Sequence, residues 1–498
     1  MDLVASMASF TPAETVVLAA YLAVMALLSI SGVHRLELML RARRAARREA
    51  PGTGELPFVT IQLPIMNERY VAERLIRSAA AVDYPRDRLE IQVLDDSTDD
   101  TVLVAERVCA ELRSQGLAVD HVRRETRAGF KAGALAAGLA RARGEVLLIL
   151  DADFVLPREF LARAVPHFAD ASVGMVQARW GFLNRGQSLL TEAQAMMLDG
   201  HFSIEHRARH ATGRFFNFNG TAGLFRKAAI EAAGGWQADT LTEDLDLSYR
   251  VQLAGSRGVY LDDLVVPSEL PASIGALKSQ QHRWAKGSLE TCRKLLPAIW
   301  RSGAPLASKV EATFHLADNV NYLLLLVLSL LSFPALAIRQ SRGEDGLMAL
   351  DLLFFLCGTV TLAAFYGVAS RATLGSPRLS RLPLLMALGI GLAVNNSLAV
   401  VGGLLGVRSP FVRTPKRGES CASDLRTGYR PRRDLLFVVE IALGAWASLA
   451  LAYAVSERVF LAVPFLALFA CGYLAVGFAS AREVLGSTGR ASVGGPVR

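Results

Sequence analysis

Residues 144–154 read GEVLLILDADF, a short apolar run that stops abruptly at Asp151-Ala152-Asp153. A run of this kind, closed by charge, is the pattern of a buried parallel strand whose C-terminal end opens into a crevice. In doubly wound α/β domains ligands bind in that crevice. Two carboxylates one residue apart can share a hard divalent cation such as Mg²⁺ or Mn²⁺, which bridges naturally to a diphosphate. Two solvated loop aspartates would look the same in isolation, so the reading depends on what surrounds them.

The surroundings repeat the pattern. From residue 58 to about residue 270 short β-rich runs alternate with helical ones. FVTIQL (58–63), LEIQVL (89–94), VLLIL (146–150) and GMVQARW (174–180) read as strands, and residues 72–82, 102–113 and 132–143 as helices. This alternation predicts a mainly parallel sheet with crossover helices. The second strand ends in Asp95-Asp96 and the third in the Asp151 triplet. Parallel strands present their C-terminal ends at one edge, so the two acidic clusters are expected to meet across the crevice.

Other chemistry-bearing stretches fall between and after these strands. AGFKAGA (128–134) places Lys131, flanked by glycines, at the opening of a helix, which suits a phosphate. FNGTAG (218–223) offers backbone amides in a turn, and Thr242-Glu243-Asp244 follows the loop begun by Gly234-Gly235-Trp236. At the head of a predicted helix over 244–253, Asp244 is either a first-turn acid or a general base taking a proton from an attacking hydroxyl. In Gln280-Gln281-His282-Arg283-Trp284, the arginine offers a bidentate fork for a diphosphate and the tryptophan an apolar plate for a sugar ring.

Composition limits the possibilities. The 498 residues are 52% hydrophobic yet 20% charged, which predicts a soluble domain joined to membrane spans. The net charge of +8 clusters beside apolar segments, where membrane orientation accounts for it and nucleic acid does not. Five cysteines, Cys109, Cys292, Cys357, Cys421 and Cys471, have no paired spacing and predict neither a zinc site nor a disulfide framework.

An uncleaved span over residues 16–32 is followed by Arg41, Arg43, Arg44, Arg47 and Arg48, which places the N-terminus outside and the arginines inside. Further apolar segments cover residues 319–338, 347–369, 382–405, 435–455 and 459–479. The loop after residue 405 carries eight Arg and Lys against two acids and belongs inside. Residues 382–405, with Asn395-Asn396-Ser397, are therefore read as an interfacial helix, leaving five spans. The predicted organisation is a span and basic flank (1–50), a cytosolic domain (51–270), interfacial helices (271–318) and two spans (319–370). An interfacial helix with a basic loop (382–433), two spans (434–480) and a disordered tail (481–498) follow. Polar residues within spans, Asn319, Asn321, Tyr322, Tyr366, Glu440 and Trp446, are candidates to line a channel.

In order and spacing, Asp95-Asp96, Asp151-Ala152-Asp153, Thr242-Glu243-Asp244 and Gln280-Gln281-His282-Arg283-Trp284 resemble the processive membrane branch of glycosyltransferase family 2. VLDDSTDDT, VQARW, FNFNGTAGLFR, TLTEDLDL and SQQHRWAKG are similar to the cellulose-synthase-like A and C types, over residues 58 to 300. The resemblance implies a GT-A α/β domain on a helical membrane bundle, with catalysis on the cytoplasmic face of an inner membrane. It implies that Asp95 or Asp96 contacts base and ribose, that Asp151 and Asp153 hold Mg²⁺ or Mn²⁺ and the diphosphate, and that Lys131, Gln280 and Arg283 serve the donor. Asn219, Gly220, Thr221, Glu243 and Trp284 would serve the acceptor, with Asp244 as base. FVRTPK (411–416) resembles the gating loop of cellulose synthases, with Arg413 in place of the family's usual Val. Thr414 and Lys416 would reach the donor phosphates. The implied reaction inverts an α-linked nucleotide sugar into a β-glycoside. UDP-glucose is the favoured donor and GDP-mannose the alternative; the acceptor is a growing glycan or a lipid such as diacylglycerol.

Overall fold

The computed structural model describes residues 10–44, 54–343, 348–407 and 435–491. The gating-like loop, with Arg413, Thr414 and Lys416, lies outside the described residues.

The soluble part is built on a seven-stranded sheet of order β3-β2-β1-β4-β6-β5-β7, where β1 is Val59–Ile65, β2 Leu89–Asp95, β3 Val119–Arg123, β4 Val146–Ile149, β5 Val173–Phe182, β6 Gly223–Arg226 and β7 Arg257–Ser268. Only β6 runs antiparallel to its neighbours. The four strands expected from sequence are present, and β3, β6 and β7 are added to them. β1, β2 and β4 are buried on both faces; β4 reads as a continuous apolar run, whereas β1 and β2 alternate apolar with polar positions. On one face Val59, Ile61, Leu63 and Ile91 meet the helices Ala72–Ala80 and Thr101–Ser114. Each fully buried aliphatic side chain there contributes about 1.5–3 kcal/mol. On the other face the polar positions pair across strands: Thr60 donates to Glu90 at 2.7 Å and Gln62 to Gln92 at 3.0 Å. Gly138, in the helix Phe130–Arg141, lies so close that a Cβ would sit 2.5 Å from Gln62 Nε2. That glycine lets the helix settle onto the polar ladder.

Among the described residues five helices are long and apolar enough to cross a membrane: Pro12–Arg43, Val320–Arg342, Leu350–Leu374, Leu436–Ser456 and Val463–Leu485. The segment read as interfacial is two helices, Leu379–Gly391 and Ala393–Leu405, bent by 47°. Small residues set the close crossings. A Cβ on Gly472 would lie 2.5 Å from the Ala387 carbonyl, and one on Gly391 2.5 Å from the Gly472 carbonyl.

Two ionic groups fasten the soluble domain to these helices. Glu311, on the helix Leu306–Ala317, accepts from Arg209 at 2.9 Å and Arg214 at 2.8 Å and meets His34 at 3.0 Å; Arg214 also reaches Glu37. His34, Glu37 and Glu311 have the spacing of a metal site, but the two guanidinium groups already occupy these carboxylates. The second group joins the helix Ile274–Arg301 to the last spans. Buried Lys278 meets buried Glu440 at 2.6 Å, while both Glu483 oxygens accept from the Ile274 and Gly275 amides at 2.9 Å. The tail expected to be disordered from residue 481 is thus helical through Ala491: Glu483 has a defined task, capping four otherwise unsatisfied amides in part.

The polar residues expected in the spans divide. Tyr322 and Tyr366 gather with Arg35, Asp318 and Glu205 where the bundle meets the soluble domain, and Asn321 accepts from Ser31 at 2.9 Å. Glu440 is consumed by Lys278, and Trp446 packs edge-on against Phe333 at 5.1 Å. Neither joins that group.

Candidate active site

The C-terminal edge of the sheet gathers four chain ends: β4 running into Asp151, the head of the helix Phe130–Arg141, the turn 219–222 leading into β6, and the head of the helix Glu243–Leu253. Lys131 is the hub. Its ammonium lies 2.7 Å from Asp151 Oδ1 and 4.0 Å from Glu243 Oε1, and donates to the Gly220 carbonyl at 2.7 Å. Burial alone would depress this ammonium; Asp151, Glu243 and Asp244 outweigh it and hold it above its usual value.

The local backbone explains how Lys131 is aimed. Gly129 (φ 70°) and Phe130 (φ 49°) both adopt the left-handed region, which turns the chain sharply into the helix. Arg124 pins that turn, donating to the Ala128 and Phe130 carbonyls at 2.9 and 3.0 Å while its other contacts close on Asp96 at 2.9 and 2.5 Å. Asp95 is buried and engaged: Oδ2 meets His121 Nε2 at 2.8 Å and Oδ1 accepts from the Ser97 amide at 2.8 Å. Burial opposes its ionisation, but His121 and Ser97 hold the carboxyl below its ordinary range. The two acidic clusters share an edge as expected, yet β1 separates their strands. Their connection runs from Asp96 through Arg124 and the 128–130 turn to Lys131 and Asp151.

Asp244 is the second residue of its helix, where the dipole favours a carboxylate. Even so, its pKa is pushed up to about 7, first by burial and then by Glu243, against the pull of Lys131 and backbone amides. Glu243 is raised too, chiefly by burial. Gly220 (φ 80°) faces this carboxyl, and a Cβ there would lie 2.8 Å from Asp244 Oδ2. Thr221 is buried and its hydroxyl accepts from the Asp151 amide at 2.8 Å. Gly220 and Thr221 therefore hold the Asp244 carboxyl, the lysine and Asp151 around one turn. The Asn219 side chain is engaged by His201 and His206 at 2.9 and 2.7 Å.

The helix Ile274–Arg301 closes one side. Gly287 allows contact with Thr242, whose Cγ2 would be 2.5 Å from an added Cβ, and Glu290 accepts from the Leu241 amide at 2.8 Å. Lys294 pairs with Asp239 at 2.7 Å and Asp246 at 2.9 Å. One turn before Gly287 stands Arg283, within electrostatic reach of Glu243, and half-buried Trp284 packs against the hydrophobic cluster that includes Leu147, Ile149 and Phe225. Gln280 is half-buried, Gln281 is buried, and His282 turns away toward the Asn395 carbonyl at 3.3 Å. Asp151 and Asp153 are half-buried and offer carboxylate oxygens, the donor chemistry that fits a hard cation.

His121, Arg124, His201, His206, Glu290 and Lys294 were not read from sequence. Each works through a partner distant in the chain, and none sits in a short spaced motif. Gln177 had a signal, since it lies in VQARW; its Oε1 accepts from the Asn219 amide at 2.9 Å.

A family model described as glycosyltransferase like family 2 matches residues 57–287. Glucomannan 4-beta-mannosyltransferase 2 of Arabidopsis thaliana is 44% identical over 259 residues, 51% of this chain and 48% of that protein. Glucomannan 4-beta-mannosyltransferase 1 of Oryza sativa subsp. japonica is 41% identical over 256 residues, 50% of this chain and 49% of that one. The chain thus spans about half the length of the curated relatives it matches. Among solved structures, a mannosyltransferase from Pyrobaculum calidifontis in complex with GDP-Man and Mn²⁺ shares the fold, with a TM-score of 0.55 at 24% identity over 78% of this chain and 100% of that one.

Proposed function

We propose that this chain, whose residues 57–287 match the family model described as glycosyltransferase like family 2, is an inverting membrane enzyme of the cellulose-synthase-like kind that extends a β-linked mannan or glucomannan from GDP-mannose. The observation that carries the chemistry is Asp244, a carboxyl raised to about 7 beside Gly220, Lys131 and Asp151. A base near the working pH combines the unprotonated form with a useful proton affinity.

Asp244 takes the proton of an acceptor hydroxyl whose oxygen attacks the anomeric carbon. The bond from that carbon to the diphosphate breaks, and its electron pair leaves with the diphosphate. Arg283 and Lys131 stabilise the departing charge. Asp151 and Asp153 would hold Mg²⁺ or Mn²⁺, which when bound neutralises charge on the leaving diphosphate. Trp284 supplies an apolar face to the acceptor sugar, and Gly220 and Thr221 shape the acceptor side of the base.

For the donor, the names of relatives 41–44% identical support GDP-mannose, in place of the UDP-glucose favoured by the sequence reading alone. For location, five apolar helices support a multi-pass membrane protein, and the arginines that follow the first span, Arg41 to Arg48, favour an N-terminus outside and a catalytic domain at the cytoplasmic face. Tyr322, Tyr366, Arg35 and Asp318, gathered where the bundle meets the soluble domain, are the polar residues we infer a leaving glycan would meet. The test is nucleotide release by the purified protein in lipid nanodiscs with Mg²⁺ or Mn²⁺. A long product cut by β-mannanase supports the polymerase, and a chloroform-soluble product would move the acceptor to a lipid.

A further inference from the structure

His201 and His206 belong to a single π-helical turn, His201–His206, set between the helices Leu189–Gly200 and Arg207–Ala211. In a continuous α-helix side chains five residues apart diverge by about 140°. The wider i→i+5 turn brings these two onto one face, with ring centroids 4.3 Å apart. Both close on Asn219. His206 Nε2 lies 2.7 Å from Asn219 Oδ1 and 3.1 Å from the Asn217 carbonyl. That carbonyl can only accept, so His206 carries its proton on Nε2 and the amide oxygen of Asn219 faces it. Asn219 Nδ2 then donates to His201 Nε2 at 2.9 Å, which leaves the His201 proton on Nδ1, facing Glu205 at 3.1 Å. One proton arrangement satisfies every contact. His206 is fully buried, and burial, with the neighbouring charge of Arg209, keeps it neutral.

The next residues are the turn at the centre of the site: Gly220 accepts from Lys131 and abuts Asp244, and Thr221 accepts from Asp151. We propose that His201, His206 and Asn219 form a positioning clamp that fixes this turn against Asp244 and Lys131, so that Asn219 serves the acceptor by holding the turn and not by touching the sugar. The inference rests on the glycosyl-transfer reading of the site.

The experiment uses the full-length protein in nanodiscs with GDP-mannose and a mannan oligosaccharide acceptor. His206→Phe keeps the ring and its packing but removes the N–H; His206→Gln keeps an N–H near the same place. The clamp predicts that His206→Phe lowers kcat about tenfold or more with both KM values within about twofold, and that His206→Gln recovers kcat to within about threefold of wild type. Asn219→Ala should likewise lower kcat; a raised acceptor KM at unchanged kcat would mean direct sugar contact and would overturn the clamp. So would unchanged kcat in His206→Phe. ¹⁵N spectra of histidine-labelled wild type, assigned by the signal lost in His206→Gln, give a readout independent of turnover and of how the phenylalanine variant folds. His206 is expected to remain neutral and protonated on Nε2 between about pH 6 and pH 8; titration in that window, or a proton on Nδ1, contradicts the clamp. Should wild type release nucleotide from no donor, the functional reading falls, and the ¹⁵N spectrum still decides the clamp.

Discussion

Asp244 sits in a position where two opposing demands meet. The helix dipole and Lys131 favour its charge, while burial and Glu243 oppose it, and the opposition prevails to give a value of about 7. A base must be unprotonated to act, so kcat/KM should fall as pH drops below about 7, a limb read directly in a pH profile of the free enzyme. Asp244→Asn removes the base and should lower kcat by about 10²–10⁴-fold, with donor binding by calorimetry largely retained. Gly220→Ala meets both a left-handed φ of 80° and a contact of 2.8 Å with Asp244 Oδ2. It should cut kcat about tenfold or more while leaving donor KM nearly unchanged, as measured by steady-state kinetics. That Asp151, Lys131, Glu243 and Asp244 come together was legible, because each closes a strand or opens a helix at a motif. Their holders were not: Arg124 touches Asp96 and the Ala128 carbonyl only once β2, β3 and the following turn have folded together.

Among the elements, the helix Ile274–Arg301 does the most to join the two halves of the protein. Its head is capped by Glu483, its first turns hold the Lys278–Glu440 pair, and its middle carries Arg283 and the glycine that fits Thr242. Glu440→Gln strands the buried lysine and should cost about 3–5 kcal/mol of stability, whereas Lys278→Met with Glu440→Leu together should recover most of it. Thermal unfolding in matched detergent reads both. Removing residues 481–498 deletes the Glu483 cap, costing about 0.5–2 kcal/mol at that helix end, and should lower activity; a tail without a structural role would leave both unchanged. The strands β1, β2, β4 and β5 announced themselves as short β-rich runs, two of them, β2 and β4, closed by acid. β3 did not, because VDHVR alternates as a sheet-edge strand, and neither did β6, with only the four residues GLFR, or β7, interrupted by Asp262-Asp263.

At the scale of the whole molecule, a parallel sheet with its active edge is fastened to a membrane bundle by two ionic groups. One, around Glu311, ties the first span to the catalytic domain; the other, around Glu440, ties the last spans to the helix that carries Arg283. The hydropathy of the spans made the bundle legible, and the proposed orientation rests on the charge of the loops. The donor was not legible in the same way, since the diphosphate and divalent cation that the acidic motifs suit are common to GDP- and UDP-sugars. The most direct test of the central claim is therefore a donor comparison: nucleotide release by the full-length protein in nanodiscs from GDP-mannose and UDP-glucose, with Asp244→Asn as control. The account predicts release of GDP from GDP-mannose, a β-mannanase-sensitive product, little release from UDP-glucose, and silence in the variant. Turnover of UDP-glucose in preference to GDP-mannose, or full turnover by Asp244→Asn, would contradict it.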